Sequence, residues 1–278
     1  MIKKLLVGID SSEHSRNAQT YGFYLARRLG AALIGLHVVD IVSIEGSFFH
    51  DISGSLGLEP YLDFSSKMRE VLTARGKSVL EEFVAAARRE KVEVQTLLDM
   101  GIVANQICER AKGADLVMIG HRGVNERFST GLLGSTAESV ARKCPRPVFI
   151  SPRAFREIRR PVLAYDGSER ASKAMHSAAE LAIELDVPLT VITVARDPKL
   201  GGRTLEEART YMGSYPAKAE FKLISGHAHE EIVRFLKDND SDLLLIGAYG
   251  HSRIIEMVIG SNTEYVLRNA PCPVFLSR

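Results

Sequence analysis

The chain repeats itself in order, and this constrains its architecture more than any other feature. Lys4-Leu5-Leu6-Val7-Gly8-Ile9-Asp10 near the start returns as Pro161-Val162-Leu163-Ala164-Tyr165-Asp166. Asp115-Leu116-Val117-Met118-Ile119-Gly120 returns as Asp242-Leu243-Leu244-Leu245-Ile246-Gly247. Pro145-Arg146-Pro147-Val148-Phe149-Ile150-Ser151 returns as Pro271-Cys272-Pro273-Val274-Phe275-Leu276-Ser277. Matches that keep their order over half a chain mean one unit used twice. With 278 residues, each copy has the length of an ordinary domain. The expected domains are 1–153, carrying an insertion near 41–64, and 159–278, joined through a charged stretch at 153–159.

Within each copy, short apolar runs alternate with helical patterns. The first copy predicts strands over 4–9, 33–39, 93–98, 116–119 and 148–150, and helices over 13–29, 66–90, 103–112 and 135–143. The second predicts strands over 162–165, 189–195, 220–224, 243–246 and 274–276, and helices over 169–185, 204–215, 230–237 and 262–269. In the 169–185 pattern, Ala174, Ala178, Leu181 and Leu185 recur at spacings of three and four, with Ser168 placed to cap. The strands are apolar without strict alternation, as strands covered on both faces are. Strand–helix alternation of this kind implies an α/β fold: two tandem, doubly wound, five-stranded parallel sheets. In such sheets a ligand sits beyond the carboxyl ends of the strands, where the winding reverses. The segment 41–64, rich in glycine and aromatic residues, reads as a long loop: a packed surface excursion, a lid or an oligomer contact.

Several function classes are excluded early. A net charge of +2 gives no basic surface for nucleic acid or membrane, and no stretch approaches the ~20 apolar residues that span a bilayer. Cys108, Cys144 and Cys272 form neither a CxxC pair nor a disulfide framework, which fits a reducing cytoplasm. The apolar start is cut by Asp10, with no cleavage pattern after it, so a cytoplasmic location is expected. No histidine has a metal-ligand partner at helical spacing, and no nucleophile–base arrangement stands out.

The informative motif follows the fourth strand. In the second copy, Gly247 and Gly250 are followed, after nine residues, by Gly260-Ser261-Asn262 opening a helix. In the first, Gly120 and Gly123 precede Gly134-Ser135-Thr136, with ten residues between. Glycines past a strand let a ligand approach the backbone, and a helix N-terminus offers amides and positive potential to phosphate. The loop is neither a Walker A sequence nor a Rossmann fingerprint. Taken alone, it also fits a tight turn.

On these residues the chain resembles the universal stress protein family, in its tandem form and its ATP-binding class, marked by Gly-x2-Gly-x9-Gly-Ser/Thr. The second copy matches that spacing, whereas the first is one residue longer. The resemblance implies an adenine nucleotide α-hydrolase-like fold and a bound ATP or other adenine nucleotide, accompanied by magnesium. It implies that Asp10 and Asp166 meet the adenine end, and that Val39 and Val194 offer backbone groups to the base. Gly120, Gly123, Gly247 and Gly250 would line ribose and phosphates. Gly134, Ser135, Thr136, Gly260, Ser261 and Asn262 would hold the phosphate chain, with Arg122 adding charge where the second copy has Tyr249. The resemblance also implies that the final strands, 148–151 and 274–277, pair across the halves as a pseudo-dimer. A further homodimer and protein partners are left open.

Asp10 and Asp166 also fit a plain helix-capping role. Arg122, Arg127 and Arg253 fit solvated charges, and His121, His251, His227 and His229 fit structural or exposed positions. Three functions therefore stand side by side. The first is a nucleotide-binding stress regulator with at most slow ATP hydrolysis and no catalytic residues assigned. The second is a scaffold of the same fold without ATP. The third, by fold analogy alone, is an enzyme acting on an adenylated small molecule.

Overall fold

Each half alternates strand and helix in the expected order. The first runs β1 (Lys4–Gly8), α1 (Glu13–Leu29), β2 (Ala32–Asp40), α2 (Tyr61–Arg89), β3 (Val94–Gly101), α3 (Val103–Ala111), β4 (Leu116–Gly120), α4 (Ser135–Lys143) and β5 (Val148–Ser151). The second runs β6 (Pro161–Ala164), α5 (Glu169–Leu185), β7 (Leu189–Ala195), α6 (Pro198–Met212), β8 (Ala219–Ser225), α7 (Ala228–Asp238), β9 (Leu243–Gly247), α8 (Ser261–Asn269) and β10 (Val274–Ser277). The structure is a computed structural model that describes residues 1–41, 61–123, 134–247 and 261–277, apart from the side chains of 61–65 and 261.

Local chemistry sets the helix limits. Ser12 and Ser168 cap α1 and α5, their hydroxyls accepting from the Ser15 and Ala171 amides. Gly30, at φ 59°, closes α1 in the left-handed conformation that glycine adopts without strain. Two expectations need correction. α6 covers Pro198–Met212 rather than 204–215, because Asp197 accepts from the Lys199 and Leu200 amides and Pro198 opens the first turn. Gly201 and Gly202 interrupt the sequence pattern but not the helix; Gly201 lies where α6 crosses Leu223 and Ala195, too close for a β-carbon. α2 starts at Tyr61, so the last four residues of the expected 41–64 loop are helical. Residues 42–60 of that loop lie outside the described residues.

The strands form one ten-stranded sheet, ordered β3-β2-β1-β4-β5-β10-β9-β6-β7-β8. Within each half all neighbours are parallel. The halves join through an antiparallel β5–β10 pair, as the family resemblance implied, with Phe149 opposite Phe275 at its centre. Helices cover both faces. On one, Tyr21 and Leu25 of α1, Phe83 of α2, Ala178 and Leu181 of α5 and Ala208 of α6 share a single core with β1, β4, β5, β9 and β10. On the other, Ile107 of α3, Val140 of α4, Leu236 of α7 and Leu267 of α8 form a second core. Both cores run unbroken through the seam.

The charged join is a packed strap. Ile158 is only 1% exposed, Phe155 lies 4.8 Å from the Tyr21 ring, and the Arg156 amide donates to the Tyr21 hydroxyl at 3.0 Å. That burial pushes the Tyr21 phenol up to about 12. Arg156 and Arg160 both pair with Asp240. Beneath them Asp242 accepts from the Arg159 and Arg160 amides at 2.8 and 2.9 Å; burial pushes its carboxyl up, while those amides pull it back. Asp115 does the same in the first half, accepting from Lys3 and Lys4 at the surface. We expect Asp242→Ala to lower stability by about 2 kcal/mol, since it leaves two half-buried donors without a charged acceptor. Asp115→Ala should cost visibly less, and urea denaturation of the two variants compares them directly.

Candidate functional site

The sheet order reverses between β1 and β4, and there the carboxyl ends of β1, β2 and β4 open a cavity of about 740 Å³. All eight residues singled out in the first repeat line it: Asp10, Val39, Gly120, Arg122, Gly123, Gly134, Ser135 and Thr136. Asp10 does not cap α1. Its Oδ1 accepts from the Ser12 amide at 2.8 Å and its own amide donates to Ser15 Oγ at 2.9 Å. Oδ2 faces Gly123, where a β-carbon would come within 3.1 Å of it. The carboxylate is thereby fixed by local turn bonds while one oxygen stays on the cavity side.

The glycines do different jobs. Gly120 lies hard against the first turn of α1, where a β-carbon would sit 2.7 Å from His14 Cβ and 2.8 Å from its carbonyl carbon. It lines the cavity, yet its small size is needed for strand–helix contact. Gly134 sits over the turn of Arg122, its amide donating to the His121 carbonyl at 3.1 Å. It is also the N-cap of α4 and supplies no side-chain cap, unlike Ser12 and Ser168 on α1 and α5. Gly134 and the first turn of α4, with Ser135 and Thr136, line the cavity, and a helix N-terminus brings unpaired amides and positive potential to such a place.

Other lining residues were not singled out in the sequence. His37 donates from Nδ1 to the Ile9 carbonyl at 2.8 Å, and Arg75 of α2 donates to Ser11 Oγ at 3.2 Å. Asp40 and Glu138 add carboxylates. Two more come from the second half: Glu264 and Arg268 of α8, an ion pair across one helical turn. Glu138 and Arg142 form the same pair on α4. That recurrence was the available signal, since both pairs stand four residues past the Gly-Ser step. Among the described residues, no group of three or more His, Cys, Asp or Glu side chains is arranged to hold a metal ion.

The second repeat is described only in part. Asp166 is exposed, and its Oδ1 accepts from the Ser168 amide at 3.0 Å, matching Asp10. Gly247 packs on Arg170 and Ala171 as Gly120 does on His14. Ser261 opens α8, followed by an exposed Asn262. Gly250 and Gly260, with Tyr249, His251 and Arg253, lie outside the described residues, as does Arg127 of the first loop. The strand register also corrects one pairing of the copies. Gly8 stands opposite Leu36 and Ala164 opposite Ile192, so Val194 is the counterpart of Val38, and Ala195 that of Val39. Of the histidines at the start of α7, His227 is exposed and meets Arg196, and His229 lies against the Tyr265 ring. No helix among the described residues is long and apolar enough to cross a membrane.

Residues 1–152 and 157–278 each match the Universal stress protein family. The chain is 32% identical to Universal stress protein Slr1230 of Synechocystis sp., over 100% of both chains. A universal stress protein of Mycolicibacterium smegmatis is 25% identical over 99% of this chain and 96% of its own. Among solved structures, a universal stress protein from Archaeoglobus fulgidus DSM 4304 shares the fold with a TM-score of 0.75 at 21% identity, covering 99% of this chain and 98% of that one. With the family matched twice and a relative aligned from end to end, this chain belongs to the universal stress protein family, as a tandem member.

Proposed function

We propose that the chain is an adenine-nucleotide-binding regulatory protein of the stress response, with its nucleotide site in the cavity of the first half. One observation carries the reading: the eight residues chosen from the first repeat converge on a single cavity of about 740 Å³ at the switch point of the sheet. Asp10 and the end of β2 form one wall, suited to a base and ribose. Gly123, which adjoins Asp10, lines the adjacent part with Arg122 and the start of α4, suited to phosphates. Asp10 is fixed by its turn bond to the Ser12 amide and Glu264 by its ion pair with Arg268, an arrangement suited to holding a nucleotide. A magnesium ion that comes with a triphosphate would rest on phosphate oxygens and one of the carboxylates, as this ion commonly does. An equivalent site in the second half, at Asp166, Val194, Gly247, Gly250, Gly260, Ser261 and Asn262, is proposed from the repeat. The domain limits 1–153 and 159–278 are proposed on the same ground, and a cytoplasmic location is proposed from Cys108, Cys144 and Cys272, none of them in a disulfide, which suits a reducing compartment.

The test uses Ser135→Glu. A carboxylate in the first turn of α4 suits the helix by about 0.3–1 kcal/mol, so folding is retained, yet it repels an incoming phosphate. The protein is purified without nucleotide, any ligand released on denaturation is identified by mass, and ATP and AMP are titrated into both forms. We expect ATP affinity to fall at least tenfold in the variant. Equal affinity in both forms would remove the first-half assignment, and no nucleotide binding in the unaltered protein would favour a scaffold. Turnover of roughly 1 per second or faster would instead make the protein an ordinary enzyme.

A further inference from the structure

The cavity of the first half is not walled by the first half alone. Glu264 and Arg268 of α8 line it, and each side chain is about one-third exposed. They pair across one turn of the helix, so a carboxylate and a guanidinium stand together at this wall. Arg122 and Arg268 both line this cavity and a smaller recess at the seam, which puts the pair near the Arg122 end. One residue joins that wall to the glycine loop. The His121 amide donates to the Ser151 carbonyl of β5 at 2.9 Å, and its carbonyl accepts from Gly134, the N-cap of α4, at 3.1 Å. Its ring reaches the other half, Nε2 donating to the Leu267 carbonyl at 2.9 Å, one residue before Arg268. A single side chain and its own backbone therefore tie together β5, the start of α4 and the last turn of α8.

We propose that the first-half nucleotide site is composite: the second half supplies the Glu264–Arg268 pair as its wall at the phosphate end, and His121 is the positioning residue that holds α8 there. This rests on the nucleotide reading and names the residues across the seam that tune it. Charge gives the pair its role. Phosphates are attracted by the guanidinium and repelled by the carboxylate, and with both at one wall the two effects offset each other. A guanidinium has five N–H donors, so pairing with one carboxylate leaves it able to meet a phosphate as well. The pair thus sets the charge that the phosphates meet, while the backbone of α8 keeps the wall in place. The second half does not repeat the arrangement in its sequence: Ala248 stands at the position of His121 and has no side-chain donor. Two sites from one duplication are thereby placed under different control.

The test is the sign of two substitutions in the full chain at low ionic strength, where charge effects are largest. We expect Glu264→Gln to tighten ATP binding at least threefold and Arg268→Gln to weaken it at least threefold. The double variant should stay within twofold of the unaltered protein. AMP should move in the same directions but less, because it carries fewer charges. His121→Phe, a ring without the donor, should reduce both shifts to less than twofold, and His121→Gln, which keeps a donor, should restore them. Shifts untouched by His121→Phe deny its positioning role. Weaker binding in both single variants means that the pair only supports the fold, and no change in either means that it does not reach the ligand; each overturns the composite wall. In Ser135→Glu protein any remaining ATP binding should be indifferent to both substitutions, since full shifts there would assign the pair to the second half's own site. Absence of ATP and AMP binding in the unaltered protein removes the nucleotide reading and this wall with it, whereas binding without opposite shifts removes the wall alone.

Discussion

Phe149→Ala is expected to lower stability by about 3–5 kcal/mol, the usual cost of emptying a buried phenylalanine site, and to destabilise both halves at once. Phe149 and Phe275 are each 1% exposed and stand opposite one another in the pair that joins the halves. The Phe149 ring also lies 5.1 Å from Tyr21 of α1. Its removal therefore opens a cavity where β5, β10 and α1 meet. Both cores cross this line, so there is no boundary at which one half can melt while the other stays. Denaturation followed by circular dichroism and by tyrosine fluorescence should show one coincident transition, shifted to lower urea. Two separate transitions, with only one shifted, would mean that the halves are energetically independent.

The second large effect is expected at the glycines that end β4 and β9. In Gly247→Ala the new β-carbon would lie 2.5 Å from the Ala171 amide nitrogen and 2.6 Å from the Arg170 carbonyl carbon. These are backbone atoms of the first turn of α5, so relief requires the helix to move. A cost of about 1–3 kcal/mol follows, as for other overpacked sites, and Gly120→Ala against His14 should match it. Gly202→Ala is the control. A β-carbon there meets nothing within 4 Å, and in a helix the change should stabilise by roughly 0.5–1 kcal/mol. Thermal unfolding of the three variants orders them; a harmless Gly247→Ala would mean that β9 and α5 are not packed so closely.

These glycines also show what could be read from the sequence and what could not. Gly120 and Gly247 were legible as special positions, because both follow an apolar strand at the same place in each repeat. The sequence suggested a ligand as the reason, whereas the geometry adds a second one, the approach of α1 and α5. Elements with strong local signals were found to the residue. α1, α4 and α5 each have amphipathic spacing, and α1 and α5 have a serine cap and a left-handed residue at the far end. α6 was misread because two glycines outweighed the Asp197-Pro198 start signal. The Val39–Val194 pairing slipped by one because two adjacent valines in β2 look alike until the ladder fixes their register. Glu264 and Arg268 were missed for a different reason. They are distant in sequence from the cavity they line, and only pairing of β5 with β10 brings them there.

That pairing joins four-residue strands, too short to hold two separate chains together at low concentration without help. Here the partner strand is always supplied by the same polypeptide, through a strap whose Phe155 and Ile158 are already seated against the first half. Dilution cannot part the two, so the joint is independent of how much protein is present. The two halves also no longer have to be identical. A pair of separate copies changes both of its faces with every substitution, but a fused pair can alter one loop and keep the other. The loops after the fourth strands already differ in sequence, His121 and Arg122 in the first standing where the second has Ala248 and Tyr249, and that difference is what such freedom allows.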